Sequence, residues 1–165
     1  MENLKIPGPD NNRNRFKTTP AKPLTCSMAT AGYSGTPLMK KLGIDDSKKL
    51  LLLNAPADYH QWLERDIRSQ LVRSNGKPDI IHLFAKDKRS FLDGMKKTEP
   101  YCAHNSSIAI WVSWYKKSSG LASDLTEDTI RAYALQHGLV DIKVCAVSEI
   151  WSGLKLVVPL SKRKS

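Results

Sequence analysis

Ser107-Ile-Ala-Ile-Trp-Val-Ser-Trp-Tyr-Lys-Lys-Ser-Ser-Gly-Leu-Ala-Ser-Asp-Leu-Thr-Glu-Asp128 joins three kinds of chain in one run. Its first part, to Tyr115, is nearly all apolar and rich in β-branched and aromatic side chains. Such a run predicts a strand covered on both faces, as in a parallel sheet. Lys116-Lys-Ser-Ser-Gly120 then reads as a loop. Thr126 is a good N-cap, and Leu125 before it and Ile130 after it are spaced as a hydrophobic staple. Strand, polar loop and helix start therefore follow one another, which is the unit of an α/β sheet.

The same unit recurs toward the N-terminus. Asp79-Ile-Ile-His-Leu-Phe84 and Lys49-Leu-Leu-Leu-Leu-Asn-Ala-Pro56 read as two further apolar strands. After the first of these in chain order, Asp58 is placed to cap a helix in which Tyr59, Trp62, Leu63, Ile67 and Leu71 recur at helical spacing. Asp87 caps the next helix, with Phe91, Leu92 and Met95 as its apolar face, Gly94 as a weak point, and Pro100 beyond its end. Earlier still, Thr36 and Pro37 predict the start of a short helix closed by Gly43. Past the quoted run, Gly138 ends a helix. Val140, Ile142, Val144 and Ala146 alternate as in a strand, a turn falls near Ser148-Glu149-Ile150, and a last antiparallel strand occupies 153–160. Strands alternating with helices imply parallel pairing. The expectation is a Rossmann-like, three-layer open α/β sheet, mostly parallel, with a C-terminal antiparallel hairpin.

Composition narrows the class. The chain has 165 residues, 41% of them apolar and 25% charged, as in globular proteins. No apolar run reaches the roughly 18 residues of a membrane span, and no secretory signal is visible, so a cytoplasmic protein without a membrane partner is expected. Cys26, Cys102 and Cys145 are odd in number and unpatterned, which argues against a disulfide framework or a zinc site. The formal charge of +10 is concentrated at the ends. Residues 1–30 carry 5 Lys/Arg against 2 Asp/Glu, and 161–165 add Lys162, Arg163 and Lys164. Residues 1–30, rich in Pro, Gly and Asn, read as a disordered segment. The domain is expected over 31–160, followed by a basic tail at 161–165.

In open α/β sheets ligands bind beyond the carboxyl ends of the strands. Here those ends bring Asn54, Lys86, Lys116 and Lys117 forward, with Ser118, Ser119 and Thr126 as hydroxyls and a helix N-terminus favouring an anion. Tyr33 and Ser34, flanked by glycines, are expected to close over the site, and Trp151 and Ser152 to reach it from the hairpin turn. No catalytic or metal-binding residue is assigned and no cofactor is identified. There is no Gly-x-Ser-x-Gly elbow and no phosphate-binding P-loop, and His60, His82, His104 and His137 lack ligand spacing. His82, inside an apolar strand, reads as a hydrogen-bonded core residue.

Three separated blocks carry a resemblance: Ala31-Gly-Tyr-Ser-Gly-Thr-Pro-Leu38 with Lys41-Leu-Gly-Ile44, Lys116-Lys-Ser-Ser-Gly120 with Ser123 to Arg131, and Gly138 to Val157. Together they resemble a bacterial family catalogued as domain of unknown function three thousand and fifty-two. The resemblance implies a small cytoplasmic bacterial protein and no assigned activity. The second half is also similar in architecture to Rossmann-like methyltransferases that use S-adenosylmethionine. It departs from them where Asn54-Ala-Pro-Ala57 replaces a Gly-x-Gly loop, and where their second strand is reduced to a vestige near Leu71-Val72. The functional expectation is a shortened, non-catalytic module for an anionic or nucleotide-like small molecule. The alternatives are a nucleic-acid or protein interaction factor acting through its basic ends, or a divergent methyltransferase.

Overall fold

The three apolar runs form three adjacent strands. In the computed structural model, which describes residues 35–163, Leu50–Leu53 (β1), Ile80–Phe84 (β2) and Ala109–Tyr115 (β3) pair in parallel. Val140–Ala146 (β4) and Trp151–Val157 (β5) close the sheet as an antiparallel hairpin. It inserts so that the five-stranded order is β1-β2-β3-β5-β4. Every residue of β2 is buried, and β3 is buried up to Trp114, because helices lie on both sides.

On one face Leu38–Leu42 (α1) and Tyr59–Leu63 (α2) pack Met39, Leu42, Tyr59 and Leu63 against Leu50, Ile80, Phe84 and Trp111. On the other, Lys88–His104 (α3) and Glu127–Gln136 (α4) pack Phe91, Met95, Ile130 and Ala134 against Leu83, Ile110, Val112 and Leu154. This is the Rossmann-like three-layer α/β arrangement. Among the described residues no helix is long and apolar enough to cross a membrane.

Several boundaries differ from expectation, each for a local reason. The helix after β1 does not run on to Leu71. Glu64 turns left-handed at φ 55, the Asp66 carboxylate accepts from Arg68 N–H at 2.9 Å to start a 3-10 turn over Arg68–Gln70, and Leu71 is thereby freed. Leu71 then makes an isolated parallel bridge to Leu50, the remnant of a further strand. Pro37 stands at the N-cap of α1 without a side-chain cap, so Thr36 does not fill that role. Gly43 does adopt the left-handed C-cap, at φ 75.

Pro100 lies within α3 rather than beyond it. The lost N–H bond and ring clash are offset because the following turn packs Tyr101 and Cys102 over Leu51, Ile81 and Ile108, and the Tyr101 hydroxyl donates to Ser74 O. Gly94 is no mere weak point, since a Cβ there would collide with the Leu83 side chain. Glycine here lets α3 pack closely on β2. The last strand begins at Trp151, and Leu160–Lys162 forms a 3-10 turn fastened by Arg163 Nε donating to Val158 O at 2.9 Å. Residues 1–30, and Lys164 and Ser165 of the expected basic tail, lie outside the described residues.

Candidate functional site

The strand ends do meet, but not as the sequence suggests. Beyond β1, Asn54 is exposed and left-handed at φ 59, a conformation asparagine tolerates better than most residues, and it turns the chain sharply into Ala55-Pro56. Beyond β2, Lys86 is exposed, and its N–H donates to Ser90 Oγ at 3.1 Å. Asp87 caps α3 by accepting from Ser90 N–H at 2.7 Å, with Ser90 Oγ accepting in return from the Asp87 N–H. Those amide bonds hold the Asp87 carboxyl below the usual carboxylate range. The loop beyond β3 supplies a second acid here, Asp124, whose carboxylate accepts from Lys88 N–H at 2.7 Å. The two loops are thus joined through carboxylates at the positive end of α3.

The helix ends are in the same condition. Thr126 Oγ1 accepts from Thr129 N–H at 3.2 Å, and Glu127 and Asp128 fill the first turn of α4. The expected pull of this terminus on an anion is already answered by its own acids. Ser119 Oγ donates to Lys116 O at 2.6 Å and accepts from Leu121 N–H at 3.2 Å, so it shapes the 3-10 turn Lys117–Ser119. Lys117 and Ser118 are exposed on that turn. Trp151 and Ser152 are the first residues of β5, opposite Tyr115 and Trp114, not members of the turn. Trp151 is buried, with ring centroids 5.1 Å from Phe84 and 4.5 Å from Tyr115. Tyr33 and Ser34 lie outside the described residues.

Lys116 goes to the opposite side of the sheet. Its N–H donates to Ile150 O at 2.9 Å, and its half-buried side chain faces Lys41 of α1, Cys145 of β4, and Glu149. Burial is the main force lowering its pKa. The Lys41 charge adds to it, and Glu149 and Cys145 oppose. More lysines follow down this face. Lys143 Nζ donates to Lys41 O at 2.9 Å, and Lys155, opposite Lys143 across the β4–β5 ladder, reaches to 3.9 Å from the Cβ position of Gly43. Burial lowers the Lys155 pKa, and the charges of Lys143 and Lys48 lower it further. Every ion pair among the described residues is made by an arginine: Arg65–Asp46, Arg68–Asp66, Arg131–Glu127 and Arg131–Asp141. The lysine line has no carboxylate at ion-pair distance among those residues.

A second feature lies deeper. The Tyr59 hydroxyl and His82 Nδ1 are 2.8 Å apart, and His82 Nε2 and Ser113 Oγ 2.7 Å. Relative exposures are 0%, 1% and 0%, so the chain of bonds is sealed from any substrate. Burial holds His82 down at about 3, which keeps the ring neutral, one nitrogen donating and the other accepting. Among the described residues no group of His, Cys, Asp and Glu is placed to hold a metal ion.

No family model matches the chain, and no curated protein does. The family resemblance therefore finds no support there, while solved structures of distant similarity are found. One is a protein of the NADB-Rossmann superfamily from Streptococcus agalactiae, at 10% identity and TM-score 0.48, covering 76% of this chain and 68% of that one. Another is an uncharacterized protein from Listeria monocytogenes serotype 4b, at 8% identity and TM-score 0.48, covering 80% and 71%. A third is a candidate tRNA (m1A22) methyltransferase from Streptococcus pneumoniae in complex with S-adenosyl-L-methionine, at 9% identity and TM-score 0.42, covering 78% and 74%. Likeness at this level carries no argument about ligand or activity.

Proposed function

We propose that the protein is a non-catalytic Rossmann-like module that binds an anionic small molecule at the carboxyl end of β3, through Lys116 with Lys117 and Lys41. The observation that supports this reading is the half-buried Lys116 ammonium, gathered beside Lys41 with no ion-pair partner among the described residues. A cation partly removed from water attracts an arriving anion more strongly than a fully solvated one. The sealed Tyr59–His82–Ser113 chain supports a structural rather than a catalytic role for the buried histidine.

The test is a thermal-shift series on the full chain with tripolyphosphate, nucleotides and sugar phosphates. A ligand at a hundred times its Kd adds about 2.7 kcal/mol, which is roughly 5–10 °C for a domain of this size. The expected result is stabilisation by an anion class that disappears in the variant Lys116→Ala/Lys117→Ala. Stabilisation retained in that variant would overturn the reading.

A divergent methyltransferase is the second reading, favoured by Asn54 turning left-handed where a glycine loop would serve, and by the Leu50–Leu71 bridge beside it. S-adenosylmethionine belongs in the same series, and a shift with that compound alone would favour this second reading.

A further inference from the structure

We propose that Lys116, Lys41, Lys143, Lys155 and Lys48 form a track for the sugar–phosphate backbone of a single strand of nucleic acid. The proposal rests on the anion-binding reading only through Lys116 and Lys41; the other lysines play no part in that reading.

The track is continuous in space and in charge. Lys116 and Lys41 influence each other, Lys143 donates to Lys41 O, Lys155 stands opposite Lys143, and Lys48 follows. Cys145 sits among Lys143, Lys41 and Lys116, which all act on its thiol. From the level of Trp151, paired with Tyr115, to Lys155 is four residues of β5, or about 13 Å. That length is too great for one phosphate. It is long enough to meet more than one phosphate of a single strand.

Lysine in the middle of an inner strand is costly. Lys155 is half-buried between Trp111 of β3 and Lys143 of β4, and its charged neighbours are of like sign. No carboxylate stands at ion-pair distance from it among the described residues, and the acids near the line, Glu149 by Lys116 and Asp45 by Lys48, lie toward its two ends. A polyanion would relieve that repulsion along the whole line. Lysine meets phosphate as a point charge and reads no base, so binding would be indifferent to sequence. A bilayer surface fits less well, because Lys116 and Lys155 are sunk beside α1 and within reach of a narrow chain rather than a plane.

Fluorescence anisotropy of the full chain with oligo(U) and oligo(dT) of about 12 nucleotides tests the proposal. Both should bind, and the RNA and DNA arms identify which source is preferred. In the variant Lys143→Gln/Lys155→Gln affinity should fall at least about tenfold. The slope of log K against log salt should shrink by about 1.4, or ~0.7 for each phosphate that is no longer neutralised. If that variant does not fold, Lys41→Gln/Lys48→Gln reads the same track from its flanks. Binding unchanged in the lysine variant but abolished in Arg13→Gln/Arg15→Gln/Lys17→Gln overturns the proposal in favour of the basic end. Phosphatidylglycerol vesicles bound through Lys143 and Lys155, with oligonucleotides unbound, overturn it in favour of a membrane. Tripolyphosphate stabilisation that needs Lys116 and Lys117, with oligonucleotides indifferent to Lys143 and Lys155, leaves the small-molecule reading standing and removes this one.

Discussion

Under α3 and α4, the loops that leave β2 and β3 end in acids. Asp87 and Asp124 close the start of α3, and Glu127 and Asp128 close the start of α4. Under α1, on the other face of the same sheet, lysines gather and no acid pairs with them among the described residues. Both faces are built by the same apolar strands, so the difference is not one of fold. It arises because the α3/α4 face has long helices whose termini need caps, and their carboxylates use up the positive ends. The α1 face has short helices and an uncovered stretch of hairpin, where polar side chains on β4 and β5 remain available. The proposed anion site therefore lies on the α1 face, although strand ends and helix starts alone would suggest the other.

The largest effect is expected where the α1 face is anchored. α1 has five residues, too few to be stable alone. Its C-terminal carbonyl Leu42 O accepts from Trp111 Nε1 at 2.9 Å, and Trp111 is fully buried. Trp111→Ala should cost about 3–5 kcal/mol in urea unfolding, through the cavity and the missing anchor. A cost below ~1 kcal/mol would mean that α1, and with it Lys41, is held by something other than this indole.

Next in size is the pH dependence set by His82. Its folded pKa lies at about 3 because of burial, against about 6.5 in the unfolded chain. The unfolded state therefore takes up a proton as pH falls through 6.5, while the folded state does not. The stability contribution is complete above pH 6.5 and declines by about 1.4 kcal/mol per unit below it, until the folded group itself titrates. Wild type should lose about 2 kcal/mol between pH 7 and pH 5, and His82→Gln should lose little over the same interval. Parallel declines in the two proteins would show that His82 already titrates freely when folded.

How much of this could be read beforehand divides along the same line. The strands were legible because continuous apolar runs leave few alternatives, and Thr126 and Asp87 declared their helices by position. His82 was legible as a core histidine, but its partners were not, since Tyr59 and Ser113 lie 23 and 31 residues away. Gly94 looked like a defect because helix propensity is local, whereas its reason, the Leu83 side chain, is on another element. The run through Pro100 was hidden for the same cause: tertiary packing outweighed a local breaker. The proposed lysine track had a usable signal. With the hairpin turn centred on Glu149, Lys143 and Lys155 are equidistant from it and must face each other. What hid it was the habit of looking for charge at strand ends, and Lys155 lies mid-strand.

The smallest expected effect separates the two faces most cleanly. If anions are attracted to the α3 side, Asp124 repels them, and Asp124→Asn should raise affinity for tripolyphosphate markedly by removing a charge beside the Lys88 N–H. If they bind beside α1, the sheet and its core stand between Asp124 and the ligand, and the exposed carboxylate is screened over that separation. The amide of asparagine still accepts from Lys88 N–H, so the loop keeps its shape. The expected change in affinity is therefore less than about twofold, equivalent to under ~0.4 kcal/mol. A tenfold rise in calorimetric titration would return the site to the crevice beside Lys86 and Asp124 and away from Lys41 and Lys116.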